Sequence, residues 1–228
     1  MAMHALAPVA GRLLDLAFPP RCAGCGIEGN AICPGCWPAV VARVDAPPGI
    51  PIGLPSEIPF PLLQLEWCAP YGAVVRKALH ALKYSGERRL SEPLGTAIAL
   101  RWRHAGQGAS LVVHVPVHAE RARQRGYDQA ELIARVAARE LGLPFETALV
   151  RDRATRPQFE LDHDKRATNV AGAFVVREGA VMRSRIRGHW ILLVDDVVTT
   201  GATLAACGDA LLEAGALAVS AVTVAHER

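Results

Sequence analysis

An α/β fold built on a parallel sheet, with a small metal-binding module ahead of it, is predicted by three observations. The first is Trp190 to Ala216, WILLVDDVVTTGATLAACGDALLEAGA. Ile191 to Val194 form an unbroken apolar run, as in a strand buried on both faces of a parallel sheet. Asp195 and Asp196 follow where such a strand would leave the sheet. Thr199 to Thr203 come next, then a helical pattern from Leu204 to Ala214, closed by Gly215. The second observation is that other buried strands alternate with helical patterns. Leu111 to Val117 precedes a helix over Ala130 to Leu141, and Leu217 to Ala225 reads as the last strand. The third is the spacing Cys22-x2-Cys25-x7-Cys33-x2-Cys36.

Two CxxC knuckles place the thiolates of Cys22, Cys25, Cys33 and Cys36 where they can converge on one tetrahedral Zn2+. Four ligands close the coordination sphere, so the zinc is expected to be structural. Disulfides are disfavoured in a reducing compartment, and redox CxxC motifs rarely come in twos. Cys68 and Cys207 stand alone and read as small buried apolar residues. Leu6 to Phe18 reads as a short amphipathic helix, which makes residues 1–44 a zinc module with an N-terminal helix. Asp45 to Pro61 holds six prolines, which prevent regular ladders. Residues 45–66 therefore read as a linker, and 67–228 as the main domain.

Within that domain, Tyr71 to Leu100 reads as helix, with Val74, Val75, Ala78, Leu79 and Leu82 at helical spacing. Lys83-Tyr84-Ser85-Gly86 ends its first part, and Leu90 to Trp102 continues as a second helix. Lys83 taken alone reads as a solvated, dipole-complementary helix end. After Val117 comes HAERARQRGYDQ, read as a basic loop; Arg121, Arg123 and Arg125 at alternate positions there can surround a polyanion. Phe145 to Arg153 reads as a short strand and turn, and Arg156 to Asn169 as a long polar loop leading into a helical turn. Ala171 to Val176 and Val181 to Arg187 look like hairpin arms about Glu178-Gly179.

Bulk properties bound the function. The net charge of +3 is too mild for a dedicated nucleic-acid groove, and aromatic residues are few at 5%. No apolar run reaches the roughly 18 residues of a membrane span. The start lacks a basic n-region, so it is not read as a signal peptide and the cytoplasm is the expected compartment. Neither GxxxxGK[ST] nor GxGxxG occurs.

The acid pair and the loop after it imply a ligand carrying both a diol and a phosphate. Adjacent carboxylates accept hydrogen bonds from a cis-diol or help hold Mg2+. Small residues at a helix N-terminus present amides and hydroxyls to a phosphate dianion. Val194 to Thr203, VDDVVTTGAT, resembles the phosphoribosyl-pyrophosphate (PRPP) signature of type I phosphoribosyltransferases at every position. With the paired knuckles, Tyr71-Gly72, Lys83-Tyr84-Ser85-Gly86, Val115-Pro116-Val117, Arg121 and Arg125-Gly126-Tyr127-Asp128-Gln129, the chain resembles the competence protein F (ComF) family. Arg153-Ala154-Thr155, Gln158, Arg166, Asn169 and Gly172-Ala173-Phe174 extend the likeness. Asp128 stands where the family carries an amide, and Asp162 where it usually carries a serine. The further CxxC pairs of many members are missing, so a second zinc site is not expected.

The resemblance implies a type I phosphoribosyltransferase fold with the zinc module appended. It implies that Val115, Pro116, Arg121, Arg123, Arg125, Tyr127 and Gln129 form the pyrophosphate side of a PRPP site. Asp195, Asp196, Thr199, Thr200, Gly201, Ala202 and Thr203 would form the ribose 5-phosphate side, with Mg2+ accompanying PRPP. Arg153 to Asn169 would close over the ligand. Asp195, Asp196 and Arg125 are the expected catalytic residues of a transferase whose acceptor is unknown, and His163 is a possible acceptor-side base. Members are associated with DNA uptake in natural transformation, which makes DNA-processing proteins the expected partners. Two alternatives stand beside the enzyme: a PRPP-sensing adaptor without turnover, and direct contact with single-stranded DNA.

Overall fold

The computed structural model describes residues 19–48, 58–151 and 173–227. The helix expected over Leu6 to Phe18, the middle of the proline-rich stretch and the closing loop lie outside these residues. After the cysteine knuckle comes one helical turn, α1 (Trp37–Val40). β1 (Leu65–Pro70) leads into α2 (Ala73–Tyr84), a 3-10 turn (Arg88–Leu90) and α3 (Ser91–Ala105). β2 (Leu111–His114) is followed by α4 (Ala119–Arg125), α5 (Gln129–Leu141), β3 (Phe145–Glu146) and β4 (Leu149–Arg151). β5 (Phe174–Val176), α6 (Ala180–Ile186), β6 (Trp190–Val198), α7 (Ala202–Glu213) and β7 (Ala218–His226) complete the fold.

The main sheet has the order β1-β7-β6-β2-β3. Every neighbouring pair in it is parallel. Its central strands carry the apolar runs because helices cover both faces. Leu192, Val194, Val222 and Val224 point to one face, against Leu79, Ile98 and Ile133 of α2, α3 and α5. Ile191, Leu193, Val219 and Ala221 point to the other, against Leu204 and Leu211 of α7. Strand alternation thus divides one apolar run between two cores. Cys68 and Cys207 are fully buried among these side chains.

Four readings of the sequence are corrected. β6 does not end at Val194 but runs on to Val198, so both acids lie within the strand, where Asp195 pairs in register with Thr223. Residues 181–187 do not form a hairpin arm: β5 pairs antiparallel with β4, and Ala180–Ile186 is helical. Arg121 to Arg125 do not lie in a loop but in α4, whose N-cap His118 accepts the Glu120 N–H at 3.3 Å. β1 begins at Leu65, inside the stretch read as linker.

A buried arginine ties the segment after the knuckle to the sheet edge. Arg101 of α3 is fully buried and pairs with the equally buried Glu66 of β1 at 2.5 Å. Its guanidinium also donates to the carbonyls of Arg43 (2.8 Å), Val44 (3.1 Å), Ala46 and Pro47 (3.3 Å). Such a charge is tolerated inside only because nearly all its donors are used.

Candidate functional site

The carboxyl ends of β2 and β6 carry the residues of interest, as open parallel sheets dictate. At the end of β6 the chain turns through Thr199 and Thr200, both exposed, to Gly201 at the N-cap of α7. Gly201 has φ +79°, and a Cβ there would lie 2.6 Å from Pro59 Cγ. Only glycine satisfies both conditions. Gly201 has no side chain with which to cap α7, and no acid lies in its first turn. The amides of its first turn, with the Thr199, Thr200 and Thr203 hydroxyls nearby, could therefore receive an anion. The Ala202 N–H makes a long contact of 3.4 Å with Thr200 Oγ1.

Asp196 is buried, and one of its oxygens is shared. Oδ2 receives Lys83 Nζ at 2.7 Å and Gln129 Nε2 at 3.1 Å. Gln129 in turn accepts Arg125 Nη1 at 2.8 Å. A continuous chain, Arg125–Gln129–Asp196–Lys83, thus joins α4, α5, β6 and α2. Burial alone would lower the Lys83 ammonium, but the Asp196 charge outweighs it and holds the pKa above the usual lysine value. Asp195 Oδ1 accepts the Asp196 N–H at 2.7 Å. Burial, reinforced by the neighbouring Asp196 charge, pushes the Asp195 carboxyl well above the usual range.

Lys83 also faces a cavity of about 500 Å3, lined with it by Tyr84, Arg121, Gln124, Arg125 and Tyr127. Arg121 and Arg125 are four residues apart and share one helix face. Arg123 sits roughly 200° from Arg121 around the axis and lies outside the cavity lining. Tyr127 is fixed by its hydroxyl, which donates to the Leu82 carbonyl, and by Arg88 stacked 4.5 Å above its ring. Arg125 stands 5.0 Å over Tyr84. Val115 is a core residue, 4% exposed, whose N–H bonds to Val194 O. Pro116 is half-buried in the turn that follows.

Asp128 does not line this cavity. It is the N-cap of α5, accepting Ala130 and Glu131 N–H groups on Oδ1 and the Val117 N–H on Oδ2 at 2.8 Å. Three amides hold the carboxylate and so fasten the turn after β2 to α5. His114 lies beneath, its Nε2 3.8 Å from Asp128. Burial lowers the His114 pKa despite that charge.

The residue missed by local reading is Lys83. A lysine at a helix end carries no local mark of burial. Only the Lys-Tyr-Ser-Gly resemblance marked the segment, and that did not assign the side chain a partner.

The four knuckle thiols meet at one point: their Sγ atoms all lie within 4.8 Å of one another, Cys25 and Cys33 at 3.6 Å. A tetrahedron of Zn–S bonds near 2.3 Å needs sulfur atoms about 3.8 Å apart, so the donor set suits zinc. A Cβ on Gly24 would stand 2.6 Å from Cys36 Sγ, so the backbone must pass bare here. Burial would raise the Cys22 thiol, but amides of Cys33, Cys25 and Gly24 prevail and bring its pKa down to about 6. That favours a thiolate at Cys22, while the hydrogen bond with Cys22 pushes the Cys36 thiol up to about 12.

A family model described as the phosphoribosyl transferase domain matches residues 128–228. The chain is 30% identical over 197 residues to DNA utilization protein YhgH of Escherichia coli (strain K12), covering 83% of this chain and 82% of that protein. It is 35% identical over 94 residues to competence protein F of Haemophilus influenzae, 41% of this chain and 40% of that one. Among solved structures, glutamine PRPP amidotransferase from B. subtilis aligns at TM-score 0.42 and 20% identity, over 64% of this chain and 30% of that chain.

Proposed function

Because the chain belongs to the competence protein F (ComF) family of phosphoribosyltransferase-like proteins, we propose that it binds PRPP across the carboxyl ends of β2 and β6 and transfers ribose 5-phosphate to an acceptor. The observation that carries this reading is the Arg125–Gln129–Asp196–Lys83 chain, which joins a cationic cavity to an acid pair beside an uncapped helix end. PRPP has the matching order of groups: pyrophosphate, a diol-bearing ribose, and a 5-phosphate.

In this mechanism the N-terminus of α7 holds the 5-phosphate. Asp195 and Asp196 each keep one oxygen free of the contacts above, and these accept the ribose hydroxyls. That set also suits Mg2+, which takes one or two carboxylates plus substrate phosphates and retains water. When bound, the ion would neutralise pyrophosphate oxygens. As the C1–O bond breaks, pyrophosphate leaves with the electron pair, and the acceptor's lone pair forms the new bond to C1. Arg121, Arg125 and Lys83 are placed to take up the charge of the leaving group, in preorganised positions that need little rearrangement. Tyr127, bonded to the Leu82 carbonyl, and Gln129, bonded to Arg125, position α2 and α4 rather than reacting. The family setting and the relatives' names support a role in DNA uptake or utilization. With no described helix long and apolar enough to span a membrane, a cytoplasmic site of action accords with that role.

Calorimetric titration with PRPP, with and without Mg2+, tests the binding. The parent should bind PRPP in a Mg2+-dependent manner. The Asp195→Asn/Asp196→Asn variant should lose that binding by about 100-fold, or roughly 2.7 kcal/mol, while inorganic phosphate still binds at the α7 end. Unchanged PRPP affinity in the variant would sink the reading. Pyrophosphate release in the presence of candidate acceptors separates transfer from binding without turnover.

A further inference from the structure

The acid pair has a cation in place before any ligand arrives. Lys83 Nζ stands 2.7 Å from Asp196 Oδ2, and Gln129 Nε2 donates to the same oxygen at 3.1 Å. A carboxylate oxygen offers about two lone pairs, so Oδ2 is filled.

The fold delivers this ammonium from a fixed base. Lys83 is in the last turn of α2, and the chain turns away behind it through Ser85 and Gly86, the latter at φ +74°. Leu82, just before it, is fully buried, and its carbonyl receives the Tyr127 hydroxyl. Gln129 is buried, and its other amide atom is held by Arg125. The Lys83 side chain is 21% exposed and that of Asp196 9%, so the pair is largely screened from water.

The position it fills is one that a divalent cation would use. Mg2+ binds oxygen at about 2.0–2.1 Å and favours carboxylates beside phosphates. An ammonium on Oδ2 repels a second cation brought to the remaining oxygen, and the repulsion is stronger where water is scarce. Lys83 nevertheless has another place to go. It lines the cavity together with Arg121 and Arg125, and no acid among the described residues lines that cavity. One side chain is therefore shared between Asp196 and any anion that enters beside it.

We propose that Lys83 is an exchangeable counter-ion of the acid pair. It keeps divalent metal off Asp196 in the free protein, and it yields that place when a pyrophosphate group draws the ammonium into the cavity. The second half of this rests on the PRPP reading; the first half does not. A ribose 5-phosphate without pyrophosphate then meets acids whose charge is already offset, and it needs no metal to bind there.

The test uses the full chain and Mn2+, which takes the same oxygen ligands and gives a paramagnetic signal when free. Without PRPP, Lys83→Met should capture one Mn2+ about tenfold more tightly than the parent, or better. Its melting temperature should also rise with Mn2+ more than the parent's does. Lys83→Gln, which keeps an uncharged donor, should behave as Lys83→Met and serves where that variant folds poorly. Lys83→Arg keeps the charge and should gain no Mn2+. Adding Asp196→Asn to either neutral variant should release the ion, which separates it from metal held at the knuckle or by surface acids. Ribose 5-phosphate should bind the parent equally with and without Mg2+. Equal Mn2+ capture by the parent and the neutral variants, or capture that survives Asp196→Asn, overturns the proposal. So does ribose 5-phosphate binding that requires the metal. A parent that binds neither PRPP nor ribose 5-phosphate while the Mn2+ pattern holds would remove the transferase reading and leave Lys83 as the guard of Asp196.

Discussion

The cysteine knuckle and the proposed anion site are built by opposite strategies. The knuckle is closed within a short contiguous stretch, its thiols brought together by turns such as Cys22 O to Gly26 N and Cys33 O to Trp37 N. The anion site draws Lys83, Arg125, Gln129 and Asp196 from four elements spread over more than a hundred residues. The contiguous site takes its donor geometry from one short stretch, although Ile32 within it joins the same core as Leu79 and Ile98. A dispersed site depends on the sheet and helices that hold its parts in register, so damage to one member is felt by the others.

Removing the metal gives the largest effect and tests the independence of the two regions. Structural zinc contributes about 10–16 kcal/mol of apparent binding free energy in small finger peptides, so chelation or Cys33→Ser should unfold the knuckle. PRPP affinity should stay within about threefold of the parent, because Arg101 is held by carbonyls beyond the last cysteine. Metal analysis, proteolysis and calorimetry read the outcome together. Parallel loss of zinc and PRPP binding would show that the regions are one unit.

Lys83→Met comes next. It leaves Asp196 buried without its cation, which should cost about 3 kcal/mol of stability. It should also weaken PRPP more than ribose 5-phosphate, with Lys83→Arg restoring part of the difference. A variant as stable as the parent, with both affinities unchanged, would return Lys83 to the solvated role its sequence suggests.

A pair of arginine variants sharpens the picture at smaller amplitude. Arg125→Ala should weaken PRPP about tenfold, near 1.4 kcal/mol, and ribose 5-phosphate far less. Arg123→Ala, on the other side of α4, should change either by less than about 0.5 kcal/mol. Equal effects of the two would mean that net charge, not the cavity, governs binding.

The smallest effect is a slope. Asp195 titrates higher in the folded chain than in the unfolded one, so the folded state binds the proton more tightly. That preference stabilises the protein at low pH and is lost as pH rises from about 4 through the folded pKa. Asp195→Asn cannot ionise, so its melting temperature should exceed the parent's at neutral pH and converge with it near pH 4. A gap that widens on acidification would reverse the assignment.

How much of this was legible depended on whether the signal was local. Cys22 to Cys36 and Val194 to Thr203 carry their chemistry in consecutive residues, and the apolar runs betray strands buried on both faces. The acids were placed beyond the strand because polarity suggested an end; a neighbouring β7 with Thr223 opposite Asp195 lets the strand continue. The alternating arginines read as a loop, yet the His118 cap and Gly126 at φ +75° bracket a helix. Arg101 and Lys83 were opaque for one reason: a buried cation is recognised by its partners, and those partners lie far off in the chain.

The buried Arg101 sets where the molecule can be divided. A proline-rich stretch invites a cut, and a chain begun at residue 67 would look like a tidy catalytic half. Such a cut discards the Arg43, Val44, Ala46 and Pro47 carbonyls along with Glu66, stranding a guanidinium inside an apolar core. The natural seam falls nearer the last cysteine. A recombinant fragment or fusion should therefore inherit residues 43–47 with the sheet, and in any shuffling of these modules that short span travels with the transferase-like half.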